Sequence, residues 1–157
     1  HFDGVGTVLN LFFRIVKPNK AYLGEKDFQQ LQIVKKLVEI ENLPIKIIGC
    51  PIIRENTGLA MSSRNKRLNN EQLNEAILIY KTLLKVKENF KLLSISKLNQ
   101  LVEKEFKNHP SLTLEYFEIA DTETLKTAIY KSKKKKYRAF IACFIGGVRL
   151  IDNMALN

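Results

Sequence analysis

Two short stretches hold side chains suited to phosphate and nucleotide chemistry. Residues 24–30 read GEKDFQQ and stand where an apolar stretch gives way to helical periodicity. Gly24 lets a ligand approach the backbone closely. Lys26 supplies a cation for a phosphate, and Asp27 can accept hydrogen bonds from ribose hydroxyls. Gln30, about one turn after Asp27, can face the same cleft. The same pattern also describes a solvated helix start with an ordinary charge pair, and spacing alone does not separate the two. Residues 61–65 read MSSRN, two hydroxyls and a guanidinium in succession within a glycine-containing loop. Such a loop can wrap a polyphosphate with charge-assisted hydrogen bonds. It can equally be a polar turn leading into the next helix.

Other reactive side chains offer less. Cys50 and Cys143 lie in apolar surroundings, IIGCPII and FIACFIG, with no CxxC partner and no nearby histidine. Both are expected to be small buried hydrophobes in a reducing cytoplasm, with a disulfide between them the lesser alternative. His109, in KNHPS, is expected in a loop.

The elements that must position these residues follow from periodicity. Residues 5–16 place Val5, Val8, Leu9, Phe12, Phe13 and Val16 at helical spacing, and Pro18 with Asn19 ends that helix. Residues 21–23 form a short apolar strand ending at Gly24. Helical periodicity resumes over 27–41, with Asp27 as its expected cap. The break at 42–44 is followed by a β-branched run, 45–48, expected to be a buried parallel strand. Helix, strand, helix, strand with short links is half of a doubly wound α/β sheet, whose ligands bind at the carboxyl ends of the strands. That rule puts GEKD at the binding edge.

The pattern changes after Pro51. Residues 54–67 read as a polar, cationic loop. Helices are expected over 70–89 and over 94–107, the latter opened by Ser94 or Ser96. Residues 112–119 suit a half-buried strand and 137–147 a second one, with a short helix at 123–130 between them. The second part is therefore α+β with a small antiparallel sheet. A boundary near 50–56 divides the chain into 1–53 and 54–157.

Composition sets the class. The 157 residues are 45% hydrophobic and 27% charged, an ordinary globular balance that excludes a disordered tail. The longest apolar runs, such as 8–13, fall far below the roughly 18 residues of a bilayer span. No membrane partner is expected. No basic segment followed by an apolar stretch opens the chain, so no secretory signal is expected. The first residue is His1, which leads us to expect a processed product or a piece of a longer chain. Net charge is +10. Residues 131–138, KSKKKKYR, carry six of the cations, and without them the balance falls to about +4. This run is expected to be a solvated connection between strands whose lysines discourage edge pairing. The alternative is a basic nucleic-acid-binding module. Such modules interleave stacking aromatics with cations, and only Tyr130 and Tyr137 flank the run.

Taken together, four blocks are far more specific than any alone. HFDGV at 1–5, AYLGEKDFQQL at 21–31, the Pro-Ile-Ile-Arg-Glu stretch leading to GLAMSSRN at 58–65, and RLIDN at 149–153 resemble the pantothenate synthetase (pantoate–β-alanine ligase) family, in order and over nearly the whole chain. The resemblance implies a fold: the second half of a Rossmann-like nucleotidyltransferase domain, then a small α+β C-terminal domain with an antiparallel sheet. It also implies an AMP-forming acid–amine ligase of pantothenate and coenzyme A biosynthesis. Pantoate attacks the α-phosphorus of Mg²⁺-bound ATP to give pantoyl adenylate and pyrophosphate. β-Alanine then attacks the acyl carbon to give pantothenate and AMP. No covalent enzyme intermediate and no protein-held metal are implied.

The same resemblance assigns roles. Lys26 would contact the ATP phosphates, and Gly24 and Asp27 the ribose. Gln30 would hold pantoate, and Ile53 would pack near adenine. Met61, Ser62, Ser63 and Arg64 would form a mobile loop closing over the triphosphate, and His1 would line the acid-binding end of the cleft. The family's HIGH-like histidine motif has no counterpart here. The chain is therefore expected to be a C-terminal portion that is inactive alone. The complete enzyme is expected to be a cytoplasmic homodimer with no nucleic-acid partner.

Overall fold

Apolar side chains at helical spacing make α1 (Phe2–Val16), three residues longer at its start than the periodicity predicts. The computed structural model describes residues 2–157, with side chains from residue 4 onward. After α1 come β1 (Lys20–Gly24), a 3-10 turn (Glu25–Asp27), α2 (Phe28–Ile40) and β2 (Lys46–Cys50). β1 and β2 pair in parallel, with Lys20 opposite Lys46 and Gly24 opposite Cys50. Phe13, Val34 and Ile45 form the core of this part, with Leu9, Ala21, Leu23, Val38, Leu43 and Ile47 packed on it. These residues belong to a first compact unit, His1–Ile52; the second is Ile53–Asn157.

Two expectations for the first unit are corrected. Asp27 precedes α2 but makes no capping hydrogen bond through its side chain, because the 3-10 turn already leads the chain into the helix. The second strand is only half-buried, though Ile45 before it is buried. A two-stranded sheet covered on one face leaves alternate side chains open, and Tyr22 is 64% exposed.

The second unit begins with a small hairpin in which Arg54 bridges Ala60, then a 3-10 turn (Ser63–Arg67). α3 (Asn70–Asn89) has the predicted bounds. Asn69 caps it in a reciprocal box: its side chain accepts from the Gln72 amide at 2.8 Å, and Gln72 accepts from the Asn69 amide at 3.0 Å. Ser94, rather than Ser96, caps α4 (Ile95–Lys107). β3 (Leu112–Asp121), β4 (Tyr137–Ile145) and β5 (Val148–Ala155) form an antiparallel sheet in that order. β4 is central and almost wholly buried. Ile79, Leu83, Val86, Leu98 and Val102 of the helices pack with Ile119, Ile141 and Leu150 of the sheet.

Two expectations for the elements of this unit change. The strand expected over 137–147 ends at Ile145. Gly146 and Gly147, at φ 53° and 75°, turn the chain back into β5. No helix forms over 123–130. The Asp121 carboxylate accepts from the Glu123 and Thr124 amides at 3.0 and 2.9 Å, Leu125 takes φ 56°, and Thr127 bridges back to Ala120. An acidic side chain that captures local amides competes with the helix.

The lysine run is exposed, as expected of a connection, but it is not simply solvated. Lys131 Nζ donates to the carbonyls of Phe90 and Leu93 at 2.5 and 2.6 Å. Lys135 pairs with Asp121 at 3.2 Å. Tyr137 and Arg138, at the end of the run, are buried in β4.

Candidate functional site

The carboxyl ends of β1 and β2 are in register, so Gly24 and Cys50 stand side by side at one edge of the parallel pair. The chain leaves β1 there and enters the 3-10 turn that carries Glu25, Lys26 and Asp27, with α2 opening at Phe28. Buried Phe28, Leu31 and Val34 anchor α2. They leave Gln30 half-buried in its first turn. Gly24 has ordinary extended dihedrals, φ −69° and ψ 135°, so no backbone strain requires glycine there. What it provides is space: a Cβ at Gly24 would meet nothing within 4 Å. Gly49 is different. A Cβ there would lie 2.9 Å from Leu31 Cδ2 and 3.3 Å from Glu25 Oε1, so its lack of a side chain lets the turn and α2 close onto β2. Gly24, Lys26, Asp27 and Gln30 thus form one group at the strand ends of the first unit, with Gly24 and Asp27 exposed and Lys26 half-buried.

The second group belongs to the second unit. Ile53 is 72% exposed, and its carbonyl accepts from the Met61 amide at 2.9 Å. Ser62 is extended and half-buried. Its hydroxyl accepts from the Arg64 amide at 3.2 Å, closing a tight turn. Ser63 and Arg64 are exposed. Arg64 Nη1 reaches the Arg149 carbonyl at 3.5 Å, so the guanidinium lies against β5 with room to bind elsewhere. Asn65 is buried and donates through Nδ2 to the Ala60 carbonyl at 3.1 Å. The turn therefore faces outward with Ser63 and Arg64 and inward with Asn65 and Leu68. Its backbone is a hydrogen-bonded 3-10 helix, where the sequence suggested a loop without regular structure.

The remaining candidates fall elsewhere. His1 lies outside the described residues. His109 is exposed just after α4, its Nδ1 2.8 Å from the Glu105 carbonyl. Cys50 and Cys143 are free thiols. Cys50 is only half-buried, contrary to expectation. Burial pushes the Cys143 thiol up to about 12, which keeps it protonated and inert. Among the described residues, no group of three or more His, Cys, Asp or Glu side chains stands together. None of the described helices is long and apolar enough to cross a membrane.

Sequence reasoning missed the residues that hold the second group. Arg54 forms a two-point ion pair with Asp152, 98 positions away, at 2.6 and 3.0 Å. Tyr80 stacks on that guanidinium at 4.3 Å. One signal was available: a carboxylate at an inward position of an apolar strand, as in RLIDN, implies a buried partner.

A family model for Pantoate-beta-alanine ligase matches residues 1–155. The pantothenate synthetase of Christiangramia forsetii is 54% identical over the whole chain, which covers 56% of that protein. That of Flavobacterium psychrophilum is 51% identical with the same coverage. Among solved structures, pantothenate synthetase from Thermus thermophilus superposes with a TM-score of 0.90 at 34% identity, over 99% of this chain and 56% of that one. Pantoate-beta-alanine ligase from Francisella tularensis, complexed with beta-gamma ATP and beta-alanine, gives 0.70 at 36% identity, over 99% of this chain and 51% of that one. The chain spans about half the length of the curated relatives it matches. The match extends over both units and both phosphate-suited segments, and the chain belongs to the pantoate–β-alanine ligase family.

Proposed function

We propose that the protein carrying these residues joins pantoate to β-alanine with cleavage of ATP, through pantoyl adenylate. The observation that carries this reading is Gly24, Lys26, Asp27 and Gln30 at the carboxyl edge of a parallel strand pair, in a chain of this family. In the first step a pantoate carboxylate oxygen bonds to the α-phosphorus, and the bond to the bridging oxygen of pyrophosphate breaks. In the second, the β-alanine amine bonds to the acyl carbon, AMP leaves and a proton is released. Neither step requires a nucleophilic side chain, so this chain contributes binding, orientation and charge stabilisation. Lys26 and Arg64 neutralise phosphate oxygens, and Ser62 and Ser63 donate hydroxyl hydrogen bonds to them. Gly24 and Asp27 hold the ribose, Gln30 orients pantoate, Ile53 offers apolar contact to adenine, and Met61 belongs with Ser62, Ser63 and Arg64 to the loop that closes over the triphosphate. Mg²⁺ enters with ATP as part of the substrate. His1 is assigned to the acid-binding end of the cleft.

On this reading residues 1–53 complete a nucleotide-binding domain and 54–157 form the domain carrying the phosphate loop. The whole enzyme is a cytoplasmic homodimer, and the 157 residues alone do not turn over. The lysine run takes no part. Lys131 and Lys135 are bonded within the unit, and of the two flanking tyrosines Tyr137 is buried, which leaves Tyr130 as the one exposed aromatic beside the run, short of the interleaved set such modules use.

The test is AMP release by the full-length protein. Release that needs ATP, pantoate and β-alanine together is expected. Release indifferent to either acid would overturn the reading.

A further inference from the structure

Arg54 has the residue type of a phosphate ligand and lies seven positions before Met61, yet its guanidinium is already engaged on three sides. Its side chain is 19% exposed and that of Asp152 3%. Nη1 donates to Asp152 Oδ2 at 2.6 Å and to the Gly58 carbonyl at 3.0 Å, and Nη2 donates to Asp152 Oδ1 at 3.0 Å. The Tyr80 ring covers one face. Gly58 completes the fit: its φ is 93°, and a Cβ there would come within 2.1 Å of Tyr80 Cδ1.

A buried ion pair adds little net stability, since well-packed apolar residues often do as well. A two-point fork that is also stacked sets direction instead. What it directs can be followed bond by bond. Arg54 bridges Ala60, and the Glu55 amide donates to the Leu59 carbonyl at 2.8 Å. The Met61 amide donates to the Ile53 carbonyl at 2.9 Å. The Ala60 carbonyl in turn receives Asn65 Nδ2. The 62–65 turn therefore hangs from a hairpin that Arg54 fastens to β5 through Asp152 and to α3 through Tyr80.

We infer that Arg54 and Asp152 are positioning residues: the pair fixes the 62–64 turn so that Ser62, Ser63 and Arg64 meet a phosphate group already oriented. This rests on the function proposed above. It excludes Arg54 itself as a phosphate ligand.

Arg54→Lys in the full-length protein keeps the charge but cannot make the fork. Two readouts separate the inference from the function it rests on. The first is amide hydrogen exchange of residues 62–68, which does not depend on activity. The variant should exchange there about tenfold faster or more, with the core strands β3 and β4 unchanged. The second is pantoate-dependent exchange of pyrophosphate into ATP. Its kcat should fall about tenfold with the KM for pantoate unchanged, and Arg54→Lys should cost clearly less in an Arg64→Ala background than in the parent, since only Ser62 and Ser63 then remain to be positioned. Should Arg54→Lys fail to fold, Tyr80→Leu removes the stack and leaves the ion pair, and should show the same pattern more weakly. Parent-like amide exchange at 62–68 in the folded variants, or losses that multiply with Arg64→Ala, would overturn the inference. A parent protein without pyrophosphate exchange would overturn the proposed function, while the amide measurement would still decide whether the pair fixes the turn.

Discussion

Asn69 and Arg64 lie five positions apart, and the structure engages them differently. Asn69 caps α3 and exchanges two hydrogen bonds with Gln72. Asn69→Ala should therefore cost about 1 kcal/mol of stability, read by chemical denaturation of the full-length protein, and leave the turnover rate unchanged. A loss of rate without a loss of stability would place Asn69 in the site. Arg64 is exposed, held by a 3.5 Å contact to the Arg149 carbonyl and by the turn it belongs to. The candidate ligands were legible in the sequence because they are contiguous: GEKD and MSSR each form one turn. The residues that hold them were not, because Arg54 and Asp152 meet only after β5 has folded back against the hairpin. No local pattern records a contact across 98 positions.

Elements were legible where propensity, period and caps agreed. α3 has its predicted bounds because Asn69 and Gln72 mark its start and its apolar stripe runs unbroken. β5 was missed because Gly146 and Gly147 read as the end of a strand, when their positive φ angles make them a hairpin turn. The segment 123–130 was misread because local helix propensity lost to the Asp121 side chain. That carboxylate is held at about 2 by the hydrogen bond from the Thr124 amide, with Lys135 and the Glu123 amide adding to it and burial opposing. A depressed folded-state value means that the stabilisation is complete above the ordinary value of 3.8 and is lost as pH falls through about 2. Asp121→Asn should thus be less stable than the parent at neutral pH. The gap should narrow across that acidic window in pH-dependent unfolding, and a gap independent of pH would refute the assignment. The lysine connection also divides by contact. Lys131 holds two carbonyls just beyond α3 and lies 5.0 Å from the Phe90 ring centroid. Lys131→Ala should cost about 1 kcal/mol in thermal or chemical unfolding. Lys133→Gln, Lys134→Gln and Lys136→Gln together should stay within about 0.5 kcal/mol and leave activity within a few-fold. Equal effects from the two sets would show that the carbonyl contacts carry no weight.

At the scale of the molecule, the two units differ in how completely they bury their apolar surface. The second has two helices packed on a three-stranded sheet. The first has a two-stranded parallel sheet, and parallel sheets are normally covered on both faces. On α1, Val8, Leu11, Phe12 and Ile15 form a stripe at helical spacing, between 53 and 79% exposed. Of these, Val8 and Phe12 belong to the set at helical spacing read from the sequence; Phe13 and Leu9 of that set pack in the core, while Val8 and Phe12 stay exposed. The chain spans about half the length of the curated relatives it matches.

The most direct test is exchange of labelled pyrophosphate into ATP by the full-length protein, because it isolates adenylate formation from attack by β-alanine. Adenylate formation predicts exchange that requires pantoate and proceeds without β-alanine. Arg64→Ala and Lys26→Ala should each lower it on the order of 10²-fold or more while remaining folded, since each removes a fixed positive charge from the leaving pyrophosphate. Exchange without pantoate, or a folded Arg64→Ala variant that exchanges at the parent rate, would contradict it.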